Sequence, residues 1–145
     1  QLQELRLYNN MLSALPDTLG RLRRLRELHV INNRLITLPD LSGLEELRRL
    51  DAQGNAIHVL PESLGALARL HDLNFRFNQL HALPESVALL TQLRTIDLRA
   101  NQFGAVPPML RDLPQLEKLD LRWNPLASLP AWLDELQSRG CVVYT

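Results

Sequence analysis

The chain has 145 residues, 46% of them hydrophobic, and its sixteen basic and sixteen acidic side chains balance to a formal charge of zero and a pI of about 7.1. A nucleic-acid-binding domain ordinarily carries a basic excess that neutralises phosphates, so DNA and RNA are poor candidate partners. No apolar run approaches the ~18 to 20 residues that span a bilayer, because a charged residue or an asparagine interrupts each one, so no membrane insertion is expected.

Taken in order, the chain opens with Leu2, Leu5 and Leu7 set to point inward while Glu4, Arg6 and Tyr8 alternate outward, the period-2 pattern of a half-buried strand. From Leu15-Pro16 the spacing changes to three and four at Leu15, Leu19, Leu22 and Leu25, which suits a loose helical or 3₁₀ arc with one apolar edge. This strand, turn and arc then recur. The register is kept by Asn10, Asn33, Asn55, Asn78, Asn101 and Asn124, separated by 23, 22, 23, 23 and 23 residues. The one short step falls between Pro39 and Leu41, on the arc, and reads as a tolerated loop deletion that spares the strands. Gly20, Gly43 and Gly65 are expected to loosen their arcs. The last arc, over residues 131–138, carries Trp132, Leu133 and Leu136 before Gly140, a sensible helix stop, and Cys141 to Tyr144 reads as a final short strand.

The unit Leu116 to Pro130, LEKLDLRWNPLASLP, states the pattern most fully: Leu116, Leu119, Leu121, Leu126 and Leu129 stand at fixed offsets around Asn124. Self-similarity of the form L-x-x-L-x-L-x-x-N-x-L at this period resembles the leucine-rich repeat family along almost the whole chain. The Leu-Pro return arc is similar to the intracellular, Ras-group type and to bacterial members, including secreted effectors that join such repeats to a ubiquitin-ligase domain. The resemblance implies an α/β solenoid with a curved, parallel, concave sheet and short helical or 3₁₀ convex arcs. One elongated domain over residues 1–145 is expected, with six repeats starting near 2, 25, 47, 70, 93 and 116 and a C-terminal cap over 131–145. Strands would stack about 4.8 Å apart, drawing the core out along a line roughly 30 Å long on its concave side. At the other end no capping element precedes Leu2, which has the look of a chain cut from a longer one, and the open edge there could pair with another molecule or a second copy.

Stacking turns equivalent positions into columns. One inward column reads Leu7, Val30, Ala52, Phe75, Leu98 and Leu121, and the Phe75 ring is expected to fill the space beside Ala52. The six register asparagines are expected to form a structural ladder, since an amide can bond both its own turn and the neighbouring repeat. Outward, the middle strand position carries Arg6, His29, Asp51, Asn74, Asp97 and Asp120. Two places on stand Tyr8, Ile31, Gln53, Arg76, Arg99 and Arg122. Neighbouring arginines about 5 Å apart would repel by roughly 0.8 kcal/mol in water, which adjacent acids can offset. Two readings stand: a self-neutralised solvated network, or a set of guanidinium forks presented to a partner's carboxylates. Phe77 and Trp123 fall at turn positions, Trp123 either packed on Pro125 or exposed. Relatives recognise proteins through the concave face, which by position implicates Arg6, Tyr8, His29, Asp51, Asn74, Arg76, Phe77, Asp97, Arg99, Asp120, Arg122 and Trp123.

Chemistry is thin. Cys141, the only cysteine, excludes an internal disulfide, lacks a clear nearby histidine, and reads as a packed residue. His58 and His81 share a repeat position but fall short of a zinc site, and His29 and His71 are expected to be solvated. No phosphate-cradling glycine motif occurs, so neither cofactor nor metal is expected. No asparagine opens a glycosylation site, which with the lone thiol favours a reducing compartment or a bacterial source. The reading is a non-catalytic protein-binding module, cytoplasmic or, as a bacterial effector, secreted into a host cell. The alternative is the recognition arm of a larger ligase, kinase or GTPase.

Overall fold

The computed structural model describes all residues, 1–145. Seven three-residue strands lie in one parallel sheet in sequence order: β1 (Glu4–Arg6), β2 (Glu27–His29), β3 (Arg49–Asp51), β4 (Asp72–Asn74), β5 (Thr95–Asp97), β6 (Lys118–Asp120) and β7 (Val142–Tyr144). The register puts Leu5, Leu28, Leu50, Leu73, Ile96, Leu119 and Val143 side by side on the inner face. Pairing runs on past each strand: Ala52 N–H donates to Asn74 O at 2.9 Å and Gly54 N–H to Arg76 O at 3.0 Å, and the other repeats repeat this.

Opposite the sheet, 3₁₀ turns span Asp17–Arg21, Glu62–Ala66, Glu85–Leu89 and Pro108–Asp112. Each follows a proline whose fixed φ starts the turn and whose carbonyl accepts the first i→i+3 bond, as from Leu64 N–H to Pro61 O at 3.0 Å. The arc after Pro39, one residue short, has no such turn. There Leu41 N–H donates to Ser63 Oγ and Ser42 N–H to Asp40 Oδ1 instead, so the deletion costs a 3₁₀ turn and leaves the strand register intact. Gly43 and Gly65 are sites of close packing, whereas a Cβ on Gly20 would meet nothing nearer than Asp40 O at 3.6 Å. A Cβ on Gly43 would lie 2.1 Å from Gly20 O, and one on Gly65 would lie 2.4 Å from Ser86 Cβ, so both glycines let consecutive arcs approach closely.

Between sheet and arcs runs a continuous leucine core, with Ala52, Phe75 and Phe103 fully buried. Ala52 and Phe75 are neighbours in register, the smallest residue of the column beside the largest. Five asparagines stitch this core from repeat to repeat. Asn78 Nδ2 donates to Ala52 O and Phe75 O while its Oδ1 accepts Ile57 N–H, and Asn33, Asn55, Asn101 and Asn124 do the equivalent. Asn10 is the exception: it is exposed and donates only to Tyr8 O in its own turn. The ladder therefore has five rungs, not six. At the far end α1 (Leu133–Ser138) buries Leu133 and Leu136, Gly140 takes a φ of 91°, and β7 closes on β6.

Candidate binding face

Strand alternation sends two side chains of each strand away from the core. The later of these was legible as the Arg6-to-Asp120 column. The earlier, Glu4, Glu27, Arg49, Asp72, Thr95 and Lys118, follows from the same alternation, although its mixed charges give no repeating signal. At mid-sheet the two columns line a hollow of about 320 Å³ containing Arg49, Asp51, Asp72, Asn74, Thr95, Asp97 and Lys118. Asp72 holds it together, 3.4 Å from Arg49 Nη2 and accepting Thr95 Oγ1–H at 2.5 Å.

The acid column has a structural duty that its charge does not reveal. Asp51, Asn74, Asp97 and Asp120 each accept the backbone N–H two residues on, from Gln53, Arg76, Arg99 and Arg122, at 3.1 to 3.3 Å. These short side chains fix the path out of the strand, a role Asp and Asn fill because their oxygen reaches that N–H. The arginine side chains then fold back. Arg99 forks onto Asp97 and lies 3.4 Å from Asp120, and Arg122 grips Asp120 through Nε at 3.0 Å and Nη2 at 2.7 Å. Asp120 is 0% exposed, so it is not presented to a partner as its column predicted. Burial by itself would raise its carboxyl pKa, but hydrogen bonds from the Arg122 side chain and backbone, with the charges of Arg122 and Arg99, outweigh that and hold it below the usual carboxylate range. Arg99 and Arg122 are raised in turn, chiefly by hydrogen bonds to Asp97 and Asp120. Arg76 differs: its Nε donates to Gln53 Oε1 at 2.5 Å, and it makes no ion pair.

The first repeats carry a second cluster. His29, expected to be solvated, is 7% exposed, its Nε2 3.0 Å from Glu27 and 3.9 Å from Glu4, with Tyr8 edge-on at 5.9 Å. Pairing of β1 with β2 places Glu4 beside Glu27 and Arg6 beside His29, and this covers the ring. Carboxylate oxygens of Glu4 and Glu27 and a ring nitrogen of His29 lie within 4.8 Å of one another, and Arg6 meets Glu4 with its guanidinium. His58 and His81 are exposed and line a hollow of about 190 Å³ on another side of the molecule. Cys141 is buried, and burial pushes its thiol pKa up, opposite to what a nucleophile needs. Of the four arginines Arg21, Arg23, Arg24 and Arg26, Arg23 lies 3.7 Å from Glu45 and Arg24 donates to Gln1.

Phe77 and Trp123 form the least expected feature. The residue before each register asparagine, Asn9, Asn32, Gly54, Phe77, Ala100 and Trp123, has φ between 51° and 69°. Asparagine and glycine tolerate this left-handed geometry, whereas an aromatic there costs on the order of 1 to 3 kcal/mol. Yet Phe77 and Trp123 are 52% and 66% exposed, and their rings stack on one another across Ala100 at 6.3 Å and 30°. Trp123 therefore lies out from the turn, not packed down on it. Arg76 lies 6.0 Å from the Phe77 ring and Arg122 6.0 Å from Trp123 and 4.8 Å from Tyr144.

A parallel sheet in strict sequence order, 3₁₀ arcs opposite it and an amide ladder through the core define a repeat solenoid, a class that displays extended faces for binding. The leucine-rich repeat family model matches residues 1–57 and 68–126, and the chain belongs to the leucine-rich repeat family. Among solved structures it is similar to a leucine-rich repeat protein of Leptospira interrogans, with 31% identity and a TM-score of 0.76 over 99% of this chain and 42% of that one. An internalin of Listeria monocytogenes shares the fold at 23% identity and a TM-score of 0.74, over 94% of this chain and 39% of that one. The chain thus spans less than half the length of either. A comparison with curated proteins returned no match.

Proposed function

We propose that this chain is a non-catalytic protein-binding module that recognises its partner on the sheet face. The observation that carries the reading is the mid-sheet hollow, in which Arg49, Asp72, Thr95 and Lys118 are held on rigid strands and partly paired with one another. Polar groups already fixed in place lose little side-chain entropy when a partner docks, so such a surface favours specific recognition. The exposed aromatics at its rim add the residue types that dominate interface energetics. By position the wider face takes in Arg6, Tyr8, Asp51, Asn74, Arg76, Asp97, Arg99 and Arg122, with Asp120 and His29 buried beneath it as supports.

Affinity capture from the source organism's lysate, or that of its host, tests the reading. The probe is the wild-type chain against an Arg49→Glu, Lys118→Glu variant, both positions being exposed and remote from the core. A specific protein captured by the first and lost by the second, with unchanged circular dichroism, supports the module. Identical capture by both moves recognition off the sheet face. The cytoplasm, or a host cell entered as a bacterial effector, is the proposed place of action. A recognition arm within a longer enzyme is the second reading, which requires a catalytic domain outside residues 1–145. Self-association of these 145 residues along β1, where Leu2 is exposed, is a further proposal, which a concentration-dependent mass in sedimentation would reveal.

A further inference from the structure

We propose that Phe77, Trp123 and Arg76 form one anchor on the rim of the sheet face, and that it takes a peptide segment of a protein partner carrying a carboxylate beside an apolar side chain. The inference rests on the protein-binding reading above and deepens it. Three observations support it. First, the two rings meet one another across Ala100 while keeping more than half of their surface exposed, in a backbone conformation that disfavours aromatics. Folding gives little return for placing them there, since Gly54 occupies the same position in the third repeat with the same backbone geometry. Second, Ala100 between them is small enough to let the rings close into one apolar shelf, while Arg76 and Arg122 border it.

The third observation is charge. Arg99 and Arg122 already hold carboxylates, Asp97 and Asp120, so a partner that covers them need bring no acid. Arg76 has only the neutral oxygen of Gln53. A partner lying on the shelf beside it would bury an uncompensated guanidinium unless it supplied an anion, and leaving a charge unpaired at an interface is strongly unfavourable. Charge complementarity therefore commits the occupant: an Asp or Glu for Arg76, next to a leucine, proline or aromatic side chain for the shelf.

A displayed library of random peptides selected on the whole 145-residue chain tests this. Enriched peptides are expected to carry Asp or Glu within a residue or two of an apolar side chain. A synthetic enriched peptide, followed by fluorescence anisotropy, should lose about 30-fold in affinity with Trp123→Gly and with Arg76→Glu, the loss typical of an interface anchor. Exchanging the peptide's acid for Arg should restore binding to the Arg76→Glu variant. Glycine suits the positive φ of Trp123, so that variant keeps its fold, which thermal melting checks. Enriched peptides that lack an acid, or that bind Trp123→Gly as tightly as wild type, overturn the proposal. So does a selection without enrichment, or a self-association abolished by Trp123→Gly, which would give the shelf to a second copy. Peptides whose binding is lost in Arg49→Glu, Lys118→Glu but kept in Trp123→Gly would retain the sheet-face reading and sink only the anchor.

Discussion

Asn78→Ala removes one rung from the middle of the ladder, and the structure sets how much that should matter. Asn78 Nδ2 donates to Ala52 O at 3.0 Å and to Phe75 O at 3.0 Å, and its Oδ1 accepts Ile57 N–H at 3.0 Å. The carbonyls are shared: Ala52 O also accepts from Asn55, and Phe75 O from Asn101. Both keep a partner when Asn78 is lost. Ile57 N–H has none other, and Ile57 is fully buried. The loss is therefore one orphaned buried donor, about 1 to 3 kcal/mol, plus two bonds at a net ~1 kcal/mol each, giving about 3 to 5 kcal/mol. Asn10→Ala, which loses one exposed bond to Tyr8 O, is the control and should stay within about 0.5 kcal/mol. Urea denaturation gives the totals, and native-state hydrogen exchange gives the place. Because each repeat touches only its neighbours, protection should fall in β3 and β4 and persist in β1, β6 and β7. A uniform loss of protection along the chain, or a cost below about 1 kcal/mol for Asn78→Ala, would refute the shared-rung argument.

Two further perturbations probe the supports of the binding face and of the arcs. Asp120→Asn keeps an oxygen for Arg122 N–H but removes the charge that two arginines grip. Those arginines are partly exposed and Arg99 retains Asp97, so the cost at neutral pH should be about 1 to 3 kcal/mol, below that of breaking a fully buried pair. The folded pKa of Asp120 lies below its unfolded value, near 3.9, so its contribution is present above about pH 4 and is lost as pH falls through the lower folded pKa. The stability difference between wild type and variant in urea should be full above the ordinary carboxylate range and shrink as the pH falls below it, and curves that stay parallel throughout would refute the role of the charge. Gly65→Ala should cost about 1 to 3 kcal/mol, because its Cβ would meet Ser86 Cβ and O at 2.4 Å between adjacent arcs. Gly104→Ala, with nothing within 4 Å, should be neutral or slightly stabilising in the same thermal melt.

The repeat architecture was determined by the sequence alone, because it is written in local periodicities that recur. Alternation at Leu5 and Leu7, the asparagine that closes each turn and the proline that opens each arc specify strand, bend and 3₁₀ turn from neighbours only a few residues apart. Stacking identical units then leaves one parallel order and one register, so the columns followed as well. What the columns do was decided by tertiary structure. Whether His29 meets water depended on Glu4, Glu27 and Tyr8, contributed in part by a strand 23 residues away. Whether an arginine faces a partner or its own acid depended on χ angles and burial that no spacing encodes, which is why Arg76 and Arg122 share a column and differ in pairing. Gly43 and Gly65 look like flexible residues until a neighbouring arc is laid against each, the preceding one on Gly43 and the following one on Gly65. Phe77 and Trp123 lie 46 residues apart in the chain, and only a stacked solenoid with a small Ala100 between them turns two separate turn residues into one surface.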